Sequence, residues 1–419
     1  MGCDVGSNDY QHCYCIRLVV QKMKRLSGAF ALAFALSILA PQPAHSLEPV
    51  NVGSLISSLT RSASLSNPSV IFIDESNGQV VYEKDSNSLR KPASLMKLYT
   101  AAAALTYLDP QQKFTTSTWV GTSDKSLVIQ GSYDPWISFL SSQAKKMGRT
   151  SLPGLESKTL GAFREVNGKT RDAKIYYVDL YPKEVSHIKS YFSKNRIRAT
   201  MIKVSRDDAL KKSHHMITSS ESPALQTMLS FALMWSDNVL SERIARLSAR
   251  AAGYSFTDKG VSQTFSDVLN SLNVAQGDQI IKDASGLSKE NRVRATQIAQ
   301  LLLQLKKNSK FAPVIGGLPV GGISGTLRHR FIENAPQAIG LVRAKSGSLN
   351  GTVNLAGYVE AGDREYVFVI IADQLKTGYR AEKTARNTID KILGKVAVPL
   401  LPVLPNSNSE VTTASSSAT

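Results

Sequence analysis

The stretch Arg343–Val359, RAKSGSLNGTVNLAGYV, decides how the C-terminal part of the chain is read. LVRAKSG and TVNLAGYVE read as strands, EYVFVIIAD (365–373) as a third, and a helix follows over 380–394. Lys345-Ser346-Gly347 therefore lies on a strand, and the elements after it complete a sheet. A second, similar triplet, Lys376-Thr377-Gly378, follows the last strand in DQLKTGYRAEKTARN (373–387). There Gly378 serves a turn and Lys376 is solvated. The strand context favours the first triplet for chemistry.

Strands also open the folded part. PSVIFIDESNGQVVYEKD (68–85) reads as a hairpin turning at Asn77-Gly78. PASLMKLYTAAAALTYLDP (92–110) reads as a helix, with Pro92 in its first turn and Asp109-Pro110 as its stop. Helical patterns return at 223–236, in VLSERIARLSARAAG, and at 257–272 and 295–306. Strands at both ends with helices between predict one antiparallel sheet built from both termini, flanked by helices, with a helical lobe from the middle. AKIYYVDLYPKEVSHIKSYFSKNRIRATMIKV, inside a more polar region, reads as strand, helix, strand. It predicts a small inserted α/β module over Trp119–Ser213. The expected organisation is an overhang and signal segment at 1–46, a main domain at 47–118 and 214–396, the module at 119–213, and a disordered Pro- then Ser/Thr-rich tail at 397–419.

The chain has 419 residues, a net charge of +17 and an apolar fraction of 42%. That composition belongs to a folded protein with room for two or three cores. Residues 1–46 contribute a net +2, leaving +15. The surplus favours acidic partners such as nucleic acid, anionic lipid or anionic wall polymers, without choosing among them. From Met23 on, Lys24 and Arg25 precede a largely apolar run, Leu26–Ala40, and Ala44-His45-Ser46 is a small-x-small site. This is the pattern of a secretory signal, too short for a membrane span, and Met23 is an alternative start. Cys3, Cys13 and Cys15 all precede it. A chain cut after Ser46 has no thiol nucleophile, zinc–thiolate site or lipoprotein cysteine, and no lasting membrane span.

Three short motifs carry chemistry when taken together. Ser94 and Lys97 lie three residues apart on one helix face, so the amine can reach the hydroxyl. A serine needs a base, and a lysine kept neutral can serve. Ser236-Asp237-Asn238 falls at a junction of two helices, where Asp237 reads as a helix-start charge. Lys345-Ser346-Gly347 on its strand is the third. Each alone is a common chance match, and Ser236 and Asn238 alone would pass for helix caps. In this order and these settings they are specific.

With these motifs the chain resembles a penicillin-binding D-alanyl-D-alanine carboxypeptidase of the low-molecular-mass class C, which often acts as an endopeptidase as well. DASGLSKENRVRATQIAQLL resembles that family's D-G-S-G-L-S-x-x-N segment through Asp283, Ser285, Gly286, Leu287, Ser288 and Asn291. LPVGGISGTLRHRF resembles its L-P-x-x-G-x-x-G-T-L segment through Gly322, Gly325, Thr326 and Leu327. The likeness runs from about Pro49 to Gly394, with Ser346 in place of a commoner Thr and Ala284 in place of a Gly. It implies an α/β serine β-lactamase/DD-peptidase-like fold without metal or cofactor. In it Ser94 is the acylated nucleophile, Lys97 its base and Ser236 a proton relay. Asn238 binds the substrate amide. Lys345 and Ser346 take the terminal carboxylate, Gly347 gives the triplet its backbone, and the N–H groups of Ser94 and Ser348 form an oxyanion hole. Lys345 would also keep Lys97 neutral by like-charge repulsion. The implied partners are peptidoglycan stem peptides and β-lactam antibiotics rather than nucleic acid, and the implied location is periplasmic or wall-associated.

Two other functions remain. A serine β-lactamase of one large class needs an E-x-x-L-N segment for deacylation, and the nearest match, SDVLN at 266–270, begins with Ser. A catalytically idle wall-peptide-binding protein would not need Ser94, Lys97, Ser236, Asn238 and Lys345 together. His214-His215 would point apart on a strand and make no metal pair. Tyr176, Tyr177 and Tyr191 read as packing residues of the module rather than a sugar platform.

Overall fold

The computed structural model describes residues 49–397; the expected signal segment, the three cysteines and the tail lie outside them. Ten strands follow one another: β1 Ser69–Asp74, β2 Val80–Lys84, β3 Thr115–Gly121, β4 Ser126–Gln130, β5 Asp172–Val178, β6 Arg198–Lys203, β7 Ser213–Glu221, β8 Val342–Leu349, β9 Thr352–Ala361 and β10 Arg364–Ala372.

The main sheet has the order β2-β1-β10-β9-β8, and every neighbouring pair is antiparallel. It joins both ends of the described chain, as the strand pattern predicts. Alternate residues explain how it is covered on two sides. Ile71, Ile73, Val367, Val369 and Ile371 face the helical lobe. Val70, Phe72, Tyr366, Phe368 and Ile370 face the terminal helices Pro49–Thr60 and Tyr379–Ala397. Burial on both faces is why β9 and β10 are nearly continuous apolar runs. The β1–β2 hairpin is longer than a two-residue turn. Gly78 takes φ +75 and its N–H donates to the Asp74 carbonyl at 2.8 Å.

The helix Met96–Tyr107 runs through the centre of the lobe, buried continuously from Met96 to Leu105. Its run of four alanines, Ala101–Ala104, lets neighbouring helices approach on every side. Helices Leu225–Trp235, Asn238–Ala251, Asp258–Ser271 and Ala295–Lys307 surround it.

The second sheet has the order β6-β5-β4-β3-β7, with β4, β5 and β6 parallel and β3 antiparallel to both neighbours. Its strands extend past the 119–213 stretch at both ends. Because β3 pairs with β7, the chain enters and leaves this sheet side by side. Helices Leu152–Asn167 and Pro182–Lys194 cover one face around Phe163, Ile175 and Phe192. Tyr177 and Tyr191 pack against that core, and Tyr176 packs on the opposite face beneath Lys212.

Candidate active site

Ser94 sits in a single 3-10 turn, Ala93–Leu95, that leads into the central helix. The turn is held open by unusual backbone. Ala93 adopts φ +48, a left-handed conformation that costs a residue with a Cβ about 1 kcal/mol. Two side chains from the sheet restrain it. Asn354 Nδ2 on β9 donates to the Lys91 and Pro92 carbonyls at 2.9 Å each. Asp373, just past β10, accepts from Lys91 N–H at 3.0 Å and from Arg90 Nη1 at 3.1 Å. Two glycines let other backbone come close. A Cβ on Gly286, which has φ +82, would lie 1.7 Å from the Ala93 carbonyl oxygen. One on Gly347 would lie 2.9 Å from the Pro92 carbonyl oxygen. The triplet strand β8 therefore runs directly against the serine turn, with Ser348 exposed next along it.

Lys97 joins three segments. Its Nζ donates to Ser94 Oγ at 3.0 Å, Asn238 Oδ1 at 2.7 Å and the Ser285 carbonyl at 2.7 Å. The side chain is 1% exposed. Burial lowers the ammonium pKa to about 8, against the opposing pull of Asp283, Glu242 and Asp237. Its partner loop is built in turn by carboxylates. Glu242 accepts from Ala284 N–H at 2.9 Å and Ser285 N–H at 2.8 Å. Asp283 accepts from Gly286 and Ser288 N–H at 2.6 and 2.5 Å and from Asn291 Nδ2 at 2.9 Å.

Ser236 ends its helix in the left-handed region at φ +59, and Asp237 caps the next helix by accepting from Leu240 N–H at 2.9 Å. The helix-start role read for Asp237 thus holds, while Asn238 reaches Lys97. Lys345 Nζ on β8 donates to Ser236 Oγ at 3.0 Å and to the Ser346 carbonyl at 2.9 Å. Its side chain is 0% exposed, and its pKa falls well below the ordinary lysine value, through burial first and the charge of Lys97 second. Two differences from the sequence expectation follow. Burial, rather than Lys345, drives Lys97 toward neutrality. The Lys345 amine also lies under Ser236, and the half-buried Ser346, hydrogen bonded to Thr326 Oγ1 at 2.8 Å, is the part of the triplet nearest solvent. Thr326 is brought there by Gly325, whose φ is +54 and whose Cβ would meet the Met234 carbonyl oxygen at 2.4 Å.

The cluster therefore unites Ser94, Lys97, Ser236, Asn238, Lys345, Ser346, Gly347 and Ser348. Lys376 stands apart, exposed before the helix Tyr379–Ala397, with Gly378 at φ +123 in the turn. His214 and His215 are exposed, and no cluster of metal-ligating side chains occurs among the described residues. A cleft of about 780 Å³ opens beside Asn238 and Ser285, walled by Phe139, Tyr181, Arg246 and Leu287. Sequence reasoning overlooked Glu242, Asn354 and Asp373. Glu242 had a usable signal, since it lies one helical turn after Asn238. Asn354 had a weaker one, a polar residue between apolar neighbours in a mostly apolar strand.

Fold and cluster together define a peptidase of the active-serine class. The family model described as D-Ala-D-Ala carboxypeptidase 3 (S13) matches residues 54–153 and 188–396. Carboxypeptidase DacB of Mycolicibacterium smegmatis is 26% identical over 385 residues, covering 79% of this chain and 81% of its own. D-alanyl-D-alanine carboxypeptidase DacB of Haemophilus influenzae is 29% identical over 171 residues, covering 39% of this chain and 35% of its own. The crystal structure of penicillin binding protein 4 from Haemophilus influenzae superposes with a TM-score of 0.63 at 16% identity, covering 81% of this chain and 98% of that one, and it shares the fold. The chain belongs to the D-Ala-D-Ala carboxypeptidase 3 (S13) family, a family of serine hydrolases.

Proposed function

We propose that this chain removes the terminal D-alanine from peptidoglycan stem peptides through an acyl-enzyme on Ser94. The observation that carries this reading is the Lys97 amine, buried, lowered to about pKa 8 and 3.0 Å from Ser94 Oγ. A neutral Lys97 takes the hydroxyl proton as Ser94 Oγ attacks the carbonyl of the penultimate D-alanine. The N–H groups of Ser94 and Ser348 receive the developing oxyanion. Asn238 offers its amide N–H to the substrate while its Oδ1 holds Lys97. Ser236, bridged to Lys345, relays the proton taken up by Lys97 to the leaving D-alanine nitrogen as the tetrahedral intermediate collapses, which returns Lys97 to its neutral form. The departing carboxylate sits on the Ser346 and Thr326 hydroxyls, with Lys345 behind them. Water then hydrolyses the ester on Ser94.

The same reading makes β-lactams stable acylating agents and gives the sheet β6-β5-β4-β3-β7 the status of an inserted accessory domain. It places the protein outside the inner membrane after cleavage at Ser46, with Leu47 as the new N-terminus. No described helix is long and apolar enough to cross a membrane. The test is mass spectrometry after incubation with penicillin and with purified muropeptides. A penicilloyl adduct on Ser94 and loss of one alanine from pentapeptides are expected. Splitting of cross-linked dimers would add endopeptidase activity. Labelling that persists in Ser94→Ala would sink the assignment.

A further inference from the structure

The turn that carries Ser236 and Asn238 is gripped from three directions by the second sheet and its loops. We propose that this inserted module is a positioning element for that turn, with Arg149 acting on Ser236 and Asn238 through Asp237; the inference rests on the catalytic reading above.

The need for such a grip comes from the turn itself. Ser236 and Asp237 alone connect the helices Leu225–Trp235 and Asn238–Ala251, and Ser236 holds a left-handed φ of +59 that a serine does not prefer. Two contacts that matter for proton movement hang on it: Lys345 Nζ to Ser236 Oγ at 3.0 Å and Lys97 Nζ to Asn238 Oδ1 at 2.7 Å. The turn must hold its place to within a fraction of an ångström for both to persist.

Arg149 reaches the turn directly. Its Nη2 donates to Asp237 Oδ2 at 2.5 Å, and its side chain is only 8% exposed. The guanidinium lies 4.6 Å from the ring centre of Trp136 and 5.0 Å from that of Phe231. Trp136 and Phe231 meet edge to face at 5.1 Å, so the incoming helix is held as well. Trp136 is anchored within the module: its Nε1 donates to the Gly148 carbonyl at 2.9 Å and its N–H to Asp134 at 2.8 Å. Asp134 also accepts from Thr150 Oγ1 at 3.1 Å, so Arg149 is flanked by Gly148, held by the Trp136 indole, and Thr150, held by the Asp134 carboxylate.

The outgoing helix is held by a second arginine. Arg243 sends Nη1 to the Ile137 carbonyl at 3.2 Å and Nη2 to Glu184 at 3.0 Å, and its guanidinium lies 4.5 Å from the Tyr181 ring centre. The module thus holds the helix before the turn, the helix after it and the turn itself. Arg149 hydrogen-bonds to neither Ser236 nor Asn238; it acts through Asp237, the residue between them.

The experiment is a double-mutant cycle in the full chain with Arg149→Met and Asp237→Asn. Methionine keeps apolar contact with Trp136 and Phe231, and asparagine still caps the helix; because Asp237→Asn also removes a charge that raises the Lys97 pKa, kcat is compared on the plateau above about pH 9, where Lys97 is neutral in every variant. The readouts are kcat and KM on a D-Ala-D-Ala peptide, melting temperature, and amide hydrogen exchange over 236–241. Each single variant is expected to lose about ten- to a hundredfold in kcat, with KM changed by less than about threefold. The double variant should lose no more than the worse single one, Arg149→Lys should recover part of the loss, and exchange should quicken at the turn while the central helix stays protected. Full kcat in a folded Arg149→Met protein, or losses that multiply in the double variant, would overturn the proposal, as would losses that follow melting temperature alone. If Arg149→Met fails to fold, Asp237→Asn decides by the same kcat criterion. If the unaltered chain cleaves no D-Ala-D-Ala peptide, the catalytic reading falls, and hydrogen exchange still decides whether Arg149 holds the turn.

Discussion

Exchanging each triplet lysine for methionine separates the two candidates. Lys345 is 0% exposed, and its Nζ donates at 3.0 Å to Ser236 Oγ and at 2.9 Å to the Ser346 carbonyl. Methionine fills the same channel without donating, so it creates little cavity, but both acceptors lose their partner. Leaving a polar group unpaired costs up to about 1–3 kcal/mol where water cannot replace the lost partner, and both acceptors are half-buried. If about 1.5–3 kcal/mol of this bears on the transition state, kcat/KM falls roughly ten- to a hundredfold. Lys376 is exposed in a turn, where a substitution changes energies by no more than about 0.5 kcal/mol, or roughly twofold in rate. The assay is kcat/KM on a peptide ending in D-Ala-D-Ala, with the rate of β-lactam acylation by mass spectrometry and melting temperature recorded for both variants. If a folded Lys376→Met protein loses acylation while Lys345→Met retains it, the choice of triplet is wrong, and so is the role given to the β8 edge.

Three other outcomes are expected. Lys97 accepts a proton only when neutral, and its pKa is lowered to about 8, so kcat/KM for acylation should climb from pH 6 and level off above an inflection near pH 8; a rate that is flat across this range excludes Lys97 as the base. Glu242→Gln keeps an acceptor for Ala284 and Ser285 N–H but removes a charge that raises the Lys97 pKa, so the inflection should move to lower pH, and a shift upward would contradict the electrostatic assignment. Gly286→Ala places a methyl 1.7 Å from the Ala93 carbonyl oxygen at φ +82, and should lower both melting temperature and acylation; a variant as active and stable as the parent would show that the loop does not press on the serine turn.

Much of this molecule was legible in local pattern. Ser94 and Lys97 could be paired because three residues on a helix bring side chains to one face, and the helix was marked by its alanines and its Pro92 and Asp109-Pro110 ends. Lys345 could be preferred to Lys376 because strands and turns leave different residue patterns. The sheet formed from both termini followed from where those strands fall, and its doubly covered centre was written in the apolar runs of β9 and β10. These are short-range signals, set by backbone geometry and by which face of an element meets water.

What the tertiary structure alone decided are the contacts between segments far apart in the chain. Nothing local in Lys345 announces that its amine lies under Ser236, and nothing in Asn354 or Asp373 announces that they hold the turn before Ser94. The loop that Glu242 fixes for Lys97 and the grip of Arg149 on Asp237 belong to the same kind. The lowered pKa values of Lys97 and Lys345 belong there too, because they arise mainly from burial. Periodicity tells which face of an element is dry; which polar group meets which inside that dry space, and how strongly water's absence shifts its proton, depends on how the elements pack against one another.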